Sequence, residues 1–530
     1  MISTTNRCYS CIILLATAIS INEPVSSAQQ KSSEPLNPSS MTKLGTVDPR
    51  YVSYNVEMVE VTGGRFWKPY KSATGGASAA KPGTTSDAGQ QVGESNSLYQ
   101  YRSPIDLGNP RLRKLAMALG PAYVRVSGSW ANSTYFQDDD LPILKEPPKG
   151  FRGVLSRAEW KGVVDFAHST DDKLVTSFAI SPGTRDADGN WAPAQAKAFL
   201  DYTKSIGGEI AAAEFMNEPT FPGPGGAPAG YDAAAFARDA KSFEAFLRQK
   251  SPQTIFLGPG GVMEGGAGMP GGMKLIHSAD ILKATGSIFD AFSYHFYGAV
   301  SRRCLGNMTG EKALAAEWLD RTNVTEKFYA DLRDQYMPGK SLWLTETAEA
   351  ACGGDQFAGE FVDSFRFLNQ LGTLAQKGVK VVMHNTLASS DYGLLNEDTL
   401  EPRPNYWSAL LWKLTMGSVV LDPNTPKDQA LRIYAHCSKE RRGGVTVLAM
   451  NTDTEHEQVL TLPESAERFT LTAPELTSDE VLLNGNELRT RPDGSVGSLK
   501  PAHERRGEIH LAPASVNFLI IPAANNQSCR

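Results

Sequence analysis

The stretch AAAEFMNEPT, Ala211 to Thr220, closes an apolar run with an asparagine, a glutamate and a proline. Pro219 removes a backbone donor and steers Glu218 away from right-handed helical geometry, so the run stops and a carboxylate is presented at a chain reversal. A second carboxylate, Glu346, closes the apolar run SLWLTET. Two carboxyl groups facing each other can break a glycosidic bond: one protonates the leaving oxygen, and the other attacks the sugar or activates water. Surface turns, a structural ion pair or metal ligation are the alternatives. The chain has no H-E-x-x-H spacing and 8 histidines in all, so the reading assigns neither metal nor cofactor.

Such a pair works only if the fold brings it together. From residue 51 to 414, short apolar runs alternate with amphipathic helical stretches. The runs YVSYNVEM, AYVRVSG, KLVTSFAIS, AAAEFMN, TIFLGPG, FDAFSYHFYG, SLWLTET and GVKVVMHNT predict strands. Segments such as NPRLRKLAMALG and DAAAFARDAKSFEAFLRQKS predict helices between them. The alternation implies parallel strands with crossover helices, and eight such units predict an α/β fold of the (β/α)8 barrel type. A doubly wound open sheet is the rival; it loses ground because no glycine-rich phosphate loop follows the first strand. In a barrel the strand C-terminal ends share one mouth. Glu218 lies just past the fourth strand and Glu346 ends the seventh, so both point into it.

The same mouth gathers weaker candidates. Glu57 on the first strand could reach a substrate hydroxyl, lie at the surface or serve in an ion pair. His295 and His384 sit at or near strand ends. Trp130 and Trp191 could stack on a sugar or fill core. Arg302-Arg303 after the sixth strand could meet an anionic neighbouring sugar or simply face solvent.

Around the barrel, residues 71–96 are Gly-, Ser- and Ala-rich and predict a flexible insertion. From 415 to 530 helical periodicity disappears, and short strand-like runs between turn residues predict a β-sandwich domain. Residues 29–50 form an N-terminal segment that can add a strand to that domain. Residues 1–28, with the apolar run CIILLATAISI and small residues before Ala28, read as a signal peptide too short to span a bilayer. That predicts a secreted or periplasmic protein with no membrane span. Cleavage would leave four cysteines and three possible pairings. The two late ones share the C-terminal region, which favours Cys437–Cys529 and leaves Cys304–Cys352; four free thiols are the alternative. A net charge of −6 with no basic run argues against a nucleic-acid partner. Asn132, Asn307 and Asn323 each begin a glycosylation sequon.

The motifs carry a resemblance. FMNEP followed by LWLTET looks like the clan of retaining glycosidases with an acid/base after strand four and a nucleophile on strand seven. LWLTETAEAACGG and the stretch from FLNQLGTLAQKG to NYWSALLWKL closely resemble heparanase and related β-glucuronidases, family 79 of glycoside hydrolases. VSYNVEMVEVTGG, PAYVRVSGSWANSTYF and the cysteine in YAHC extend the likeness over nearly the whole mature chain. The resemblance implies Glu218 as acid/base, Glu346 as nucleophile and Asn217 as a ligand of the sugar 2-hydroxyl. It implies Tyr297 beside the nucleophile, with Tyr392, Gly353 and Gly354 at a uronate carboxylate; Glu57 and His295 complete the expected substrate-binding set. The expected substrate is a glucuronic-acid-containing glycan or a glucuronide. This chain has Cys352 where family members often carry a tyrosine. Exo action is expected; an endo-acting heparanase-like enzyme, another retaining β-glycosidase of the clan, and a non-catalytic carbohydrate-binding barrel are the alternatives.

Overall fold

The computed structural model describes residues 35–70, 98–223, 225–266, 275–425 and 429–530. The signal-peptide reading of 1–28 and the insertion reading of 71–96 fall outside them. Among the described residues no helix is long and apolar enough to cross a membrane.

The eight predicted strands form one closed parallel barrel: β1 (Val52–Glu57), β2 (Tyr123–Ser127), β3 (Lys173–Ser177), β4 (Ile210–Glu214), β5 (Ile255–Gly261), β6 (Ala291–Val300), β7 (Leu342–Ala351) and β8 (Val381–His384). Helices alternate with them on the outside: α1 (Pro110–Ala118), α2 (Arg157–Thr170), α3 (Ala194–Ser205), α4 (Ala233–Lys250), α5 (Ser278–Thr285), α6 (Arg321–Tyr336), α7 (Phe361–Gln376) and α8 (Pro404–Thr415). Their starts carry local signals. Ser156 and Glu159 form a reciprocal capping box at α2, and Asn109 before Pro110 caps α1.

The strand period of two sorts side chains into layers inside the barrel. Tyr123, Val175, Ala212, Leu257, Ala291, Trp343, Val381 and Met383 form one apolar cluster with a member from each of seven strands. Two residues further along, the same strands place Arg125, Glu214, Thr345 and Asn385, all buried. An apolar plug thus floors a polar chamber. Glu346 is not at the end of its strand, as the sequence reading had it, since β7 runs on to Ala351. The register of β7 shifts between Leu344 and Glu346 against β6 and between Leu344 and Thr347 against β8. Such an irregularity re-aims a side chain, and here it turns Glu346 inward.

After α8 the chain enters an antiparallel sheet whose central strands are Leu431–Ser438, Val445–Asn451, Ser515–Ile521 and Ala466–Thr472. Lys43–Thr46 lies antiparallel to Met416–Leu421 at one edge of that sheet. Alternation divides the two faces. Leu448, Met450, Val516 and Phe518 pack into the cluster shared with the barrel, whereas Val445, Val447, Leu519 and Ile521 pack with the ribbon strands Gln458–Leu462 and Gly507–Leu511. Disulfides join Cys437 to Cys529 and Cys304 to Cys352.

Candidate active site

Glu218 and Glu346 meet. One carboxylate oxygen of each, together with a ring nitrogen of His295, lies within 4.8 Å of the others. Glu218 follows β4 on a turn in which it adopts φ +50°, a left-handed conformation that is uncommon for a residue with a side chain. Proline exclusion accounts for leaving the right-handed region. The turn itself is held by Asn132, whose amide donates to Asn217 O at 2.9 Å while its Oδ1 accepts from Asn217 N at 2.8 Å. Asn132 is fully buried, so its sequon belongs to the interior of the molecule and not to a surface loop.

Arg125 organises the chamber. Its Nη1 donates to Glu346 Oε2 at 2.9 Å, and its Nη2 donates to Glu214 Oε2 and Asn217 Oδ1, both at 2.7 Å. Thr345 Oγ1 donates to the other Glu214 oxygen at 2.9 Å. Burial works against the charge of Glu214, yet Arg125, His295 and the Thr345 bond together outweigh it and hold the carboxyl below its ordinary pKa. With Asn217 Oδ1 occupied, its NH2 remains the donor side of that amide.

The second Glu346 oxygen, Oε1, accepts from Tyr297 OH at 2.5 Å. Tyr297 and His295 are two apart on β6 and share its inner face. His295 Nδ1 lies 3.1 Å from Glu218 Oε1, and its Nε2 lies 3.3 Å from Arg125 Nη2. Burial lowers the histidine pKa, but Glu346 and the bond to Glu218 outweigh it and raise it. Arg125 can only donate, so Nε2 accepts and the Nδ1 proton is directed at Glu218. Burial, with the charge of Glu346 adding to it, raises the pKa of Glu218 against the opposing bond from His295. Glu218, His295 and Glu346 also have the proximity of a metal site. Arg125 and Tyr297 already occupy both Glu346 oxygens, and the guanidinium supplies the positive charge a cation would bring.

Glu57 is buried, which corrects the surface alternative. Its Oε1 accepts from Asn385 Nδ2 at 3.2 Å, and the same amide reaches Tyr297 OH at 3.1 Å and Tyr392 OH at 3.2 Å. Burial first, then Glu346 and Glu60, raise the Glu57 pKa well above the carboxylate range. Gly128 makes the space, because a Cβ there would lie 1.5 Å from Glu57 Oε2.

Gly353 and Gly354 both have φ +82°. A Cβ on Gly353 would meet Ser390 Oγ and Trp67 Cβ at 2.6 Å, and one on Gly354 would press on Tyr392. The Gly354 N–H already donates to Ala350 O at 3.2 Å. The remaining candidates lie away from the chemistry. His384 bonds Tyr392 O at 2.7 Å, and burial first among its causes lowers its pKa to about 3. Trp191 is core, packed edge-on against Phe215 and Phe243, and Trp130 packs on Phe66. Arg303 turns inward to Asp391 and does not face an open groove, whereas Arg302 is exposed.

Arg125, Glu214, Asn132 and Asn385 escaped the sequence reading. For the first two a signal was present: AYVRVSG and IAAAE each place one charge inside a run otherwise fit for a buried strand. A charge buried there needs a partner of opposite sign. Asn132 and Asn385 carry no such mark.

The chain has relatives among known proteins. It is 26% identical to heparanase-like protein 1 of Arabidopsis thaliana, with 81% of this chain and 88% of that protein covered. It is 28% identical to baicalin-beta-D-glucuronidase of Scutellaria baicalensis, with 79% and 84% covered. Among solved structures, a 4-O-alpha-L-rhamnosyl-beta-D-glucuronidase from Fusarium oxysporum superimposes with a TM-score of 0.59 at 12% identity, covering 92% of this chain and 99% of that one; at that identity the likeness concerns the fold. The family model described as glycosyl hydrolase family 79, N-terminal domain, matches residues 99–372, just over half of the sequence. The chain is a glycoside hydrolase and belongs to glycoside hydrolase family 79.

Proposed function

We propose that the protein is a retaining β-glucuronidase, with Glu346 as nucleophile and Glu218 as acid/base. The observation that carries this is the carboxyl spacing. Oxygens of the two groups lie within 4.8 Å, near the separation of about 5–5.5 Å at which one carboxylate reaches the anomeric carbon directly, and short of the roughly 6.5–9.5 Å that admits an attacking water beside the sugar. Glu346, oriented by Arg125 and Tyr297, attacks that carbon. The glycosidic bond breaks, and the departing oxygen takes the proton of Glu218. In the second half-reaction Glu218 removes a proton from water, the water oxygen attacks the same carbon, and the ester to Glu346 is released.

The site also accounts for Glu218 serving as acid and then as base. While Glu346 is charged it helps keep Glu218 protonated. Once Glu346 is esterified that influence is gone, and the His295 Nδ1–H favours the ionised Glu218. Asn217 NH2 is placed to donate to the sugar 2-hydroxyl, and Glu57 to accept from another hydroxyl. Tyr392 OH and the Gly353 amide are the proposed ligands of the uronate carboxylate, binding it without a bare cation that would also stabilise ionised Glu218. Action at chain ends, on a glucuronide or the terminus of a glycan outside the cell, fits the net charge of −6. It also fits the burial of Arg303, which removes one of the two cations a polyanionic groove would use.

The test is hydrolysis of 4-nitrophenyl β-glucuronide against 4-nitrophenyl β-glucoside, followed by NMR. We expect a glucuronide preference on the order of 10²-fold or more, because the carboxylate's ligands are left unpaired by the neutral sugar. The β-anomer should appear first, before mutarotation. A preference for the glucoside overturns the uronate reading, and early α-anomer overturns retention.

A further inference from the structure

The loop that follows β7 is held by its backbone carbonyls from two neighbouring loops. Cys352, Gly353 and Gly354 have φ of +64°, +82° and +82° in succession; a cysteine in this region is strained, so the conformation must be imposed by its surroundings. Arg303, in the loop after β6, supplies the imposing contacts. Its Nη1 donates to Cys352 O at 3.0 Å and to Gly354 O at 2.8 Å, straddling Gly353. The carbonyl between them, Gly353 O, accepts from Ser390 Oγ at 2.9 Å and from Asp391 N at 3.2 Å. Three successive carbonyls are therefore captured by the neighbouring loops.

Arg303 is itself held. Its Nη2 pairs with Asp391, its guanidinium lies 3.8 Å from the centroid of the Tyr70 ring, and its side chain is only 6% exposed. Tyr70 N donates in turn to Asp391 at 3.2 Å. The adjacent residue, Cys304, is bonded to Cys352, and the disulfide packs on the cluster of Val59, Phe66, Trp67 and Tyr99, in which the last two stack at 4.4 Å. Loops from after β1, β6 and β8 converge on the three residues that follow β7.

We propose that Arg303 and the Cys304–Cys352 disulfide are positioning elements for recognition of the sugar carboxylate. They fix the Cys352–Gly354 loop by its carbonyls, and so set where the Gly353 amide and Tyr392 meet the substrate. Carbonyl oxygens turned toward an anionic carboxylate would repel it, so capturing them elsewhere is as important as presenting an amide. Tyr392 is coupled to the same loop, since its backbone N lies 3.2 Å from where a Gly354 Cβ would stand. This inference rests on the glucuronidase reading above. Neither arginine nor disulfide touches the reacting atoms; they act through the loop.

The experiment measures kcat and KM for 4-nitrophenyl β-glucuronide in the full chain, in Arg303→Lys and in the Cys304→Ala/Cys352→Ala double variant. Lysine keeps the charge beside Asp391 but cannot fork between two carbonyls. Arg303→Lys should raise KM by about tenfold or more with kcat within about threefold of wild type, the split expected when binding of a remote substrate group is lost. The cysteine variant should show the same split with a smaller rise, and it is read alone if Arg303→Lys does not fold. A KM within about twofold of wild type, or a fall in kcat at unchanged KM, overturns the proposal. Failure of the glucuronidase reading looks different, because the wild-type protein would then prefer the glucoside.

Discussion

In the proposed mechanism Arg125 is the side chain on which the chemistry turns, because it donates to an oxygen of the nucleophile, Glu346 Oε2. It is buried between Glu214 and Glu346 and also fixes Asn217. Removing one partner of a buried ion pair costs about 3–5 kcal/mol, whereas replacing the whole pair by apolar groups of similar volume can be neutral. That asymmetry separates stability from catalysis. Arg125→Met should lower the melting temperature, because Glu214 is left charged with no counter-ion. Arg125→Met combined with Glu214→Met should recover the part of that loss that Glu214 causes, while Glu346 stays without its cation. Turnover should stay depressed on the order of 10²-fold in both variants, since Glu346 Oε2 and Asn217 Oδ1 lose their donor either way. Calorimetry and steady-state kinetics on the two variants decide it; recovery of kcat together with the melting temperature would show that Arg125 serves folding alone.

At the scale of elements, the barrel strands were legible and the loops were not, for a physical reason. Eight short apolar runs alternating with amphipathic segments carry their own periodicity, and periodicity survives without knowledge of neighbours. Strand order then placed Glu218 and Glu346 at one mouth. The turn that aims Glu218 is different. Its positive φ is set by Asn132, distant along the chain and brought in from the loop after β2; no local pattern encodes that. The register shift that turns Glu346 inward, and the capture of Arg303 by Asp391, are equally non-local. Asn132→Ala should therefore act on one function. On the proposed acid/base role of Glu218, loosening the turn moves the proton donor, so loss of kcat should be greatest for poor leaving groups, which depend on protonation, and small for dinitrophenyl glucuronide. We expect roughly 10- to 100-fold on the former, the span of general acid catalysis at its lower end. A uniform loss across leaving groups would mean that Asn132 stabilises the barrel without aiming Glu218.

At the scale of the whole molecule, the β-domain is bound to the barrel through a shared interior. One apolar cluster contains Leu368 and Leu371 of α7, Trp407 and Leu411 of α8, and Tyr434, Leu448, Phe469 and Phe518 of the sheet. The contact is close enough to dictate a residue: a Cβ on Gly372 of α7 would stand 2.3 Å from the Tyr434 ring, so the helix must be bare there. Polar groups seal the same seam, with Tyr434 OH donating to Asn369 Oδ1 at 2.7 Å and lying 3.0 Å from Thr373 Oγ1. α7 directly follows the strand and loop that carry Glu346 and the glycine pair, so disturbance at the seam has a short path to the site. Cutting the chain after Thr415 would remove the donor to Asn369 Oδ1 and expose the inner faces of α7 and α8, the kind of large apolar patch that drives association. The truncated barrel should be insoluble or aggregated by size-exclusion chromatography. Gly372→Val in the full chain should lower the melting temperature and, by displacing α7, also reduce kcat. A soluble, monomeric and active fragment 35–415 would show that the barrel needs only its own core, and that the seam with the β-domain contributes nothing to the site.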